Sequence, residues 1–211
     1  MMKSMCRMLV LLCGAAVGFA APRPAIVQAP QQWTAQVMVE PLRMVVLAAP
    51  GPGAPGRYWY TVLSVENTAL RAMDLYLQAD LLTDGFDLIP AGRSVPPEAF
   101  RIVKARHTGT YPFLEDLPVT GTKVLQGPDH VRDFAVIWPD FGPEVKAVSL
   151  FIGGLSNETV AIDHPTVKDP SGTATKVYLK KTLQLDITLK GESDLRVDEN
   201  VQLAASRWVM R

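Results

Sequence analysis

The strictest constraint on this chain's fold is a two-residue alternation in its final quarter. In KVYLKKTLQLDITL, residues 176–189, the apolar residues share one parity and the polar residues share the other. Successive side chains of a strand point to opposite faces of a sheet, so this rhythm predicts a strand with one buried face. Lys181 is the one misfit in the apolar set, and it indicates a bend or an edge.

Further strands are predicted along most of the chain after Trp33. The alternating or β-prone runs are WTAQVMVE, LRMVVLA, RYWYTVLSVEN, DLYLQADLL, VRDFAVIWPD, VKAVSLFIGGL, ETVAID and VQLAASRWVM. The apolar parity changes within the last run, which predicts a β-bulge near residues 204–206. Residues 164–175, HPTVKDPSGTAT, are expected to form a turn-rich connector.

One segment carries helix signals. PPEAFRIVKARHTG, residues 96–109, opens with prolines, places Glu98 early and basic residues late, and ends at a glycine. Without crossover helices a parallel sheet is hard to build. About nine strands and one short helix therefore predict a mainly β, antiparallel β-sandwich in a single domain, residues 33–211.

The first twenty residues have the three-part layout of a secretory signal peptide. Lys3 and Arg7 precede an apolar run over residues 8–17, and small residues end at Ala20. The apolar run is too short to span a bilayer, which needs roughly 20 residues. We expect cleavage after Ala20, and Leu12 before Cys13 argues against a lipoprotein. The chain is therefore predicted to be exported, periplasmic or extracellular, with no membrane span in its mature form.

The mature chain is expected to begin with a flexible tether and to rely on its core for stability. Residues 21–32, APRPAIVQAPQQ, carry three prolines and no periodic pattern. Cys6 and Cys13 both lie in the leader. The mature chain therefore has no thiol for disulfides, thiol catalysis, Fe–S clusters or cysteine-bound zinc.

The net charge and one glycine motif were considered as signals for binding nucleic acids or nucleotides. The 21 basic and 21 acidic residues balance, and a nucleic-acid-binding protein needs a strongly basic face. GPGAPG, residues 51–56, matches the G-x-G-x-x-G spacing of dinucleotide loops. A β-prone run follows it instead of a helix, and its prolines lack the N–H that would bind a phosphate. We predict a turn there, and no nucleic-acid partner.

Two stretches resemble known bacterial domains. KVLQGPDHVRDFAVIWPDFGPEVKAVSLFIGGL, residues 123–155, and RYWYTVLSVENTA, residues 57–69, resemble bacterial extracytoplasmic immunoglobulin-like domains. The chain as a whole, down to its terminal SRWVMR, also resembles a family of uncharacterised secreted bacterial proteins. The resemblance implies an immunoglobulin-like β-sandwich. It carries over no catalytic or binding residue, because fold alone does not specify function.

A search for catalytic and metal sites gives weak candidates. The three histidines, His107, His130 and His164, lack the short spacing of a zinc site, and Ser156 in GGLSNE lacks the glycine that completes a nucleophile elbow. Glu115 with Asp116, and the trio Asp194, Asp198 and Glu199, are acidic groups of the type that glycoside hydrolysis uses, in segments where charges are common. We predict no enzyme activity, no metal and no cofactor.

Three features are candidate binding surfaces. Tyr58 and Tyr60, if they point outward while Trp59 points inward, would form an aromatic platform for a sugar. The helix carries a basic group that suits an anion: Arg101, Lys104, Arg106 and His107, with Arg93 before it. Cations at a helix C-terminus are also favoured by the helix dipole alone. The long segment 108–130 is expected to be a structured loop, and loops of that length are often functional.

These observations predict an exported, non-enzymatic β-sandwich that acts as a structural or protein-interaction module. Its expected partner is a protein of the cell envelope. One alternative is a carbohydrate- or anion-binding module, for which the partner would be a glycan or an anion. The other is a hydrolase whose site cannot be recognised from the sequence.

Overall fold

The computed structural model describes residues 21–48, 56–117, 121–191 and 201–211. The described chain forms one α-helix, α1 (Pro97–His107), one 3-10 turn (Pro128–His130) and thirteen strands. The strands are β1 (Gln36–Val39), β2 (Arg43–Leu47), β3 (Gly56–Glu66), β4 (Met73–Leu75), β5 (Gln78–Thr83), β6 (Leu88–Pro90), β7 (Glu115–Asp116), β8 (Thr122–Val124), β9 (Arg132–Pro139), β10 (Ala147–Gly153), β11 (Thr159–Lys168), β12 (Ala174–Leu189) and β13 (Val201–Met210).

The strands form two large sheets and a small pair. In the first sheet, β1 and β2 pair with opposite halves of β3, and β9 and β7 follow on its other side. The second sheet runs β11-β12-β10-β5-β6, and β13 also pairs with β12. Strands β4 and β8 pair with each other. Every pairing between these strands is antiparallel except that of β7 with β9.

One hydrophobic core joins the two sheets. The inner side chains of the first sheet include Trp59, Leu63, Phe134 and Trp138, and those of the second include Leu81, Leu150, Ile152 and Leu185. On β12 the apolar set at 183, 185, 187 and 189 is buried, while Lys180 and Thr188 on the other parity are exposed. The alternation of this segment is therefore confirmed, and the protein is mainly β with antiparallel sheets.

The count of about nine strands is wrong, because the described residues contain thirteen. DLYLQADLL was expected to be one strand, but the chain breaks at Tyr76 and Leu77. Its first part is β4, which pairs with β8, and its second part is β5 of the second sheet. Three further strands of two or three residues, β6, β7 and β8, are too short to produce a periodic pattern.

Two predictions about the later strands have different outcomes. The bulge near residues 204–206 is confirmed, since Asp186 pairs with Ala205 and Ile187 with Leu203, leaving Ala204 without an opposite residue. The connector over 164–175 is wrong in its extent, because β11 runs on to Lys168. The turn itself is short. The Asp169 carboxylate accepts hydrogen bonds from the Ser171 and Thr173 amides and closes it.

The predicted helix is confirmed, and it covers the outer face of the first sheet. Ala99 and Val103 of α1 pack against Val62, Ala135 and Ile137 in a second hydrophobic cluster. Strand β3 is therefore buried on both faces over most of its length. A proline at the start of the helix needs no hydrogen-bond partner for its nitrogen, which suits the first turn.

Two predicted segments lie wholly or mostly outside the described residues. They are the leader, 1–20, and the GPGAPG turn, of which the described part is Gly56 at the start of β3. Residues 21–32 are described, and they are hydrogen-bonded to the turn between β10 and β11. The Asn157 side chain donates to the Gln31 carbonyl, and the Ala25 amide donates to Glu158 over 2.7 Å.

Candidate binding cleft

The two tyrosines predicted to form an exposed platform lie on the helix-covered face of β3. Tyr60 is 1% exposed, and Tyr58 is half-buried against the same cluster. The inward direction of Trp59 is as expected, since it joins the core between the sheets. The expected exposure of Tyr60 is wrong, because α1 packs over the face that the parity of β3 assigns to it.

The basic residues of α1 do not form one cationic surface. Arg101 forms an ion pair with Glu98 one turn earlier, and Lys104 lies over the Phe100 ring. Arg106 donates hydrogen bonds to the Met44 carbonyl and, over 3.1 Å, to the Tyr60 hydroxyl. The Arg106 contacts tie the end of the helix to the first sheet.

His107 belongs to a buried polar network beneath the helix. Its ring is 7% exposed, and its Nε2 lies 3.1 Å from the Tyr60 hydroxyl. Burial, together with the positive charges of Arg43 and Arg106, lowers the pKa of His107, although Glu40 opposes the shift. Nearby, Tyr111 donates to Glu40 over 2.7 Å, and burial and this hydrogen bond raise the pKa of Tyr111 to about 12. Both rings are thus held neutral, which stabilises the helix–sheet contact.

The other candidates from the sequence also have local partners. The segment 108–130 contains the short elements β7, β8 and the 3-10 turn, and turns or irregular residues join them in its described part. Glu115 forms an ion pair with Arg132, and His164 Nδ1 accepts the Val167 amide over 2.9 Å. Within the described ranges, no three His, Cys, Asp or Glu side chains are grouped to hold a metal ion. Asp194, Asp198 and Glu199 lie outside those ranges.

A cleft of about 510 Å³ lies at one end of the outer face of the second sheet. Its walls come from the ends of β5 and β10, the middle of β12, the turn after β10 and the break between β4 and β5. The polar residues at its surface include Asp74, Gln78, Asp80, Ser156, Asn157, Lys180 and Arg211, and the buried Glu158 lies behind them. Three aromatic residues also line it: Trp33, Tyr76 and Phe151. We call this site the β5–β12 cleft.

Two glycines allow the chain to build one wall of the cleft. At Gly154, where φ is +84°, an added Cβ would lie 2.1 Å from the Tyr76 carbonyl oxygen. A Cβ on Gly121 would lie 2.5 Å from Cε1 of the Tyr76 ring. Any larger residue at either position would collide with Tyr76. The backbone of Tyr76 therefore packs closely against Gly154 and one edge of its ring lies close to Gly121, while 69% of the residue stays exposed.

Trp33 is held in place through its backbone. Its amide donates to the Asn157 side-chain oxygen over 2.7 Å, and its carbonyl accepts from the Ser156 hydroxyl over 2.8 Å. The Thr34 hydroxyl donates to Ser156 as well. These bonds join the start of the folded chain to the turn after β10, so the tryptophan lines the cleft without belonging to any of its strands.

Two exposed carboxylates of the cleft have ion-pair partners. Arg211 lies 3.1 Å from Asp80 and places its guanidinium over the Phe151 ring, 4.3 Å from the centroid. Asp74 has Lys123 within 3.6 Å. The cleft therefore presents an organised polar surface, and Arg211 covers the Phe151 ring.

A buried ion pair lies beneath this surface. Glu158 is 2% exposed and Lys181 7%, and Glu158 Oε2 lies 3.0 Å from the lysine ammonium. Burial opposes ionisation of Glu158, but the Ala25 amide and Lys181 outweigh it and lower the pKa of Glu158. Lys181 lies where the pairing of β12 with β11 ends and its pairing with β13 begins. It occupies an inward position of β12 because a buried carboxylate faces it.

The sequence contains a signal for this cleft. In DLYLQADLL, the outward parity comprises Asp74, Tyr76, Gln78 and Asp80, and all four line the cleft. An aromatic ring among polar residues of one strand face indicates exposure more directly than the tyrosines of β3, where both parities are mostly apolar or aromatic.

No family model, curated protein or solved structure matches this chain. Among the described residues, no helix has the length and apolar character needed to cross a bilayer. The geometry of the cleft is therefore the evidence from which a function can be inferred.

Proposed function

We propose that this protein is an exported, non-enzymatic interaction module built on an immunoglobulin-like β-sandwich. The leader-like first twenty residues support export to the periplasm or the exterior. Two antiparallel sheets that share one core support the sandwich. In this proposal the β5–β12 cleft is the surface that contacts a component of the cell envelope.

The observation that carries the proposal is a preformed cleft whose three carboxylates already have ion-pair partners. Binding sites are concave, largely formed before the ligand arrives, and contain a few well-placed polar groups among apolar ones. The β5–β12 cleft has these properties, with Tyr76 close to Gly121 and Arg211 in contact with Asp80 and Phe151. Its volume, about 510 Å³, lies within the range of roughly 300–1,000 Å³ that is usual for ligand pockets.

The state of the carboxylates supports binding over catalysis. A general acid near neutral pH needs a raised pKa. The pKa of Glu158 is lowered, and its charge is held by Lys181. Asp80 likewise engages Arg211. The basic residues of α1 have partners within the helix or in the first sheet, so the geometry does not favour the anion-binding alternative there.

The test is retention of the purified mature protein on cell envelopes isolated from the cells that produce it. We expect the wild-type protein to be retained and Tyr76→Ala to lose retention severalfold. Tyr178→Ala is the matched control, because Tyr178 is 68% exposed on β12 and lies outside the cleft. Equal retention of the Tyr76→Ala variant and the wild-type protein would overturn the proposal.

Export has its own test. Expression of the full chain in a bacterium should yield a secreted or periplasmic protein whose first residue, by mass spectrometry of the intact protein, is Ala21. An intact precursor in the cytosol would contradict the exported location.

A further inference from the structure

We infer that the β5–β12 cleft binds a neutral oligosaccharide. This inference rests on the proposed function, because it names the chemical class that the cleft would recognise. Three properties of the described lining residues support it: the exposed ring of Tyr76, a balance of positive and negative charges, and a mixture of hydrogen-bond donors and acceptors.

The ring of Tyr76 is exposed within the cleft. The residue is 69% exposed, and one edge of its ring lies close to Gly121. A tyrosine offers an apolar body with a polar tip, and it loses little conformational entropy on binding because it has only two side-chain torsions. The C–H face of a pyranose ring packs on such a surface. Trp33 supplies a second ring in the same cleft.

The balance of charge excludes polyanions as the preferred ligand. Asp74 and Asp80 are the exposed lining carboxylates, Lys180 and Arg211 are the lining cations, and the charge of the buried Glu158 is balanced by Lys181. A polyanion would need a surplus of cations. Most of these charges are also engaged with partners, which favours a neutral ligand that interacts with them through hydrogen bonds.

The polar lining suits hydroxyl groups. A sugar hydroxyl both donates and accepts, so it matches a surface that offers both roles. Carboxylates such as Asp80 accept, Lys180 donates, and the amides of Gln78 and Asn157 do both. Charge-assisted hydrogen bonds are the stronger kind, and fixed carboxylates make them without moving. The cleft volume allows a short oligosaccharide.

The experiment titrates the mature protein with neutral tetrasaccharides, both β-linked and α-linked, and follows binding by calorimetry and by NMR. The probes are cellotetraose, chitotetraose and maltotetraose, and a sulfated heparin tetrasaccharide is the charged comparison. We expect at least one neutral probe to bind and the sulfated one to bind more weakly. Tyr76→Ala should weaken that binding by about tenfold, in line with the strength of a single aromatic contact.

Two variants keep the test specific. Tyr76→Phe retains the ring and should bind within about twofold of the wild-type protein, and Tyr178→Ala should bind unchanged. If no neutral probe binds at concentrations up to about 10 mM, where even very weak sites fill, the inference is overturned. Equal binding by Tyr76→Ala and the wild-type protein would overturn it too.

A protease step separates failure of this inference from failure of the proposed function. Envelopes digested with a protease should still retain the wild-type protein if the ligand is a saccharide. If retention depends on Tyr76 but is abolished by the digestion, the saccharide inference is wrong and the proposed interaction function stands. If retention is the same with and without the Tyr76 ring, the proposed function of the cleft is wrong.

Discussion

The outer faces of the two sheets differ in what covers them. On the first sheet, Tyr60, Val62 and Ile137 are buried beneath α1. On the second, Gln78 and Thr188 are exposed, and within the described chain no helix packs there. The covered face stabilises the fold, whereas the open face leaves its polar groups and Tyr76 available for binding. Strand parity determines the face on which a side chain lies, and tertiary packing determines whether that face meets water.

The amino-acid patterns of the two faces differ accordingly. In β3 both parities are apolar or aromatic, as expected for a strand buried on both faces. In β12 one parity is polar, as expected for a strand with one solvated face. The absence of alternation in β3 was thus a sign of a second covering layer.

The largest expected effect compares neighbouring residues on opposite faces of β12. Lys181→Met leaves Glu158 as a buried carboxylate without its cation, and we expect a loss of about 3–5 kcal/mol in the free energy of unfolding. Lys180→Met changes an exposed residue and should alter it by about 0.5 kcal/mol or less. Urea denaturation of both variants measures the difference. Equal losses would mean that Lys181 is not buried beside Glu158.

The next effect compares the two outer faces directly. Ile137→Ala removes a side chain from the contact between the first sheet and α1, and we expect a loss of about 2–5 kcal/mol. Thr188→Ala, on the open face of the second sheet, should change the free energy of unfolding by no more than about 0.5 kcal/mol. Thermal or urea denaturation provides the measurement. A small loss for Ile137→Ala would show that α1 does not seal the first sheet.

A smaller effect is expected from pH at the covered face. The pKa of His107 is lowered in the folded protein, so below its ordinary value of 6.5 the unfolded chain binds a proton that the folded chain resists. The free energy of unfolding should therefore fall as the pH decreases from 6.5. His107→Gln should reduce this slope, with His130 and His164 present in both proteins. Identical slopes by denaturation at several pH values would contradict the buried, neutral ring.

The smallest effect on stability is expected at the cleft itself. Tyr76→Ala removes an exposed ring, so the free energy of unfolding should change by no more than about 0.5 kcal/mol while envelope retention falls. The comparison of its melting temperature with that of the wild-type protein checks this. A large loss of stability would mean that Tyr76 acts through the fold.

Regular elements were predictable from the sequence where local periodicity and packing agree. The strand over residues 176–189, the helix near residues 97–107 and the bulge at Ala204 depend on parity and capping signals that each segment carries itself. The break at Tyr76 and Leu77 was missed because both parts keep the same parity, and the division between β4 and β5 depends on the distant partners β8 and β10.

The site was less predictable, for a related reason. The exposure expected for Tyr60 was wrong because α1 covers it. The apolar residues on both faces of β3 indicate a second covering layer, but they do not show which element provides it. Lys181 was recognised as an exception, but its partner Glu158 lies 23 positions earlier along the chain, in the turn before β11. The cleft also needs the backbone of Gly121 and Gly154 against Tyr76, contacts that only the folded chain brings together.

The most direct test of the division between a covered face and an open face is oxidative footprinting of the tyrosines, with and without isolated envelopes. In the free protein we expect rapid modification of Tyr76 and Tyr178 and strong protection of Tyr60, which is 1% exposed. Addition of envelopes should protect Tyr76 and leave Tyr178 unchanged. Modification of Tyr60 as fast as Tyr76, or no protection of Tyr76 by the envelopes, would contradict the account.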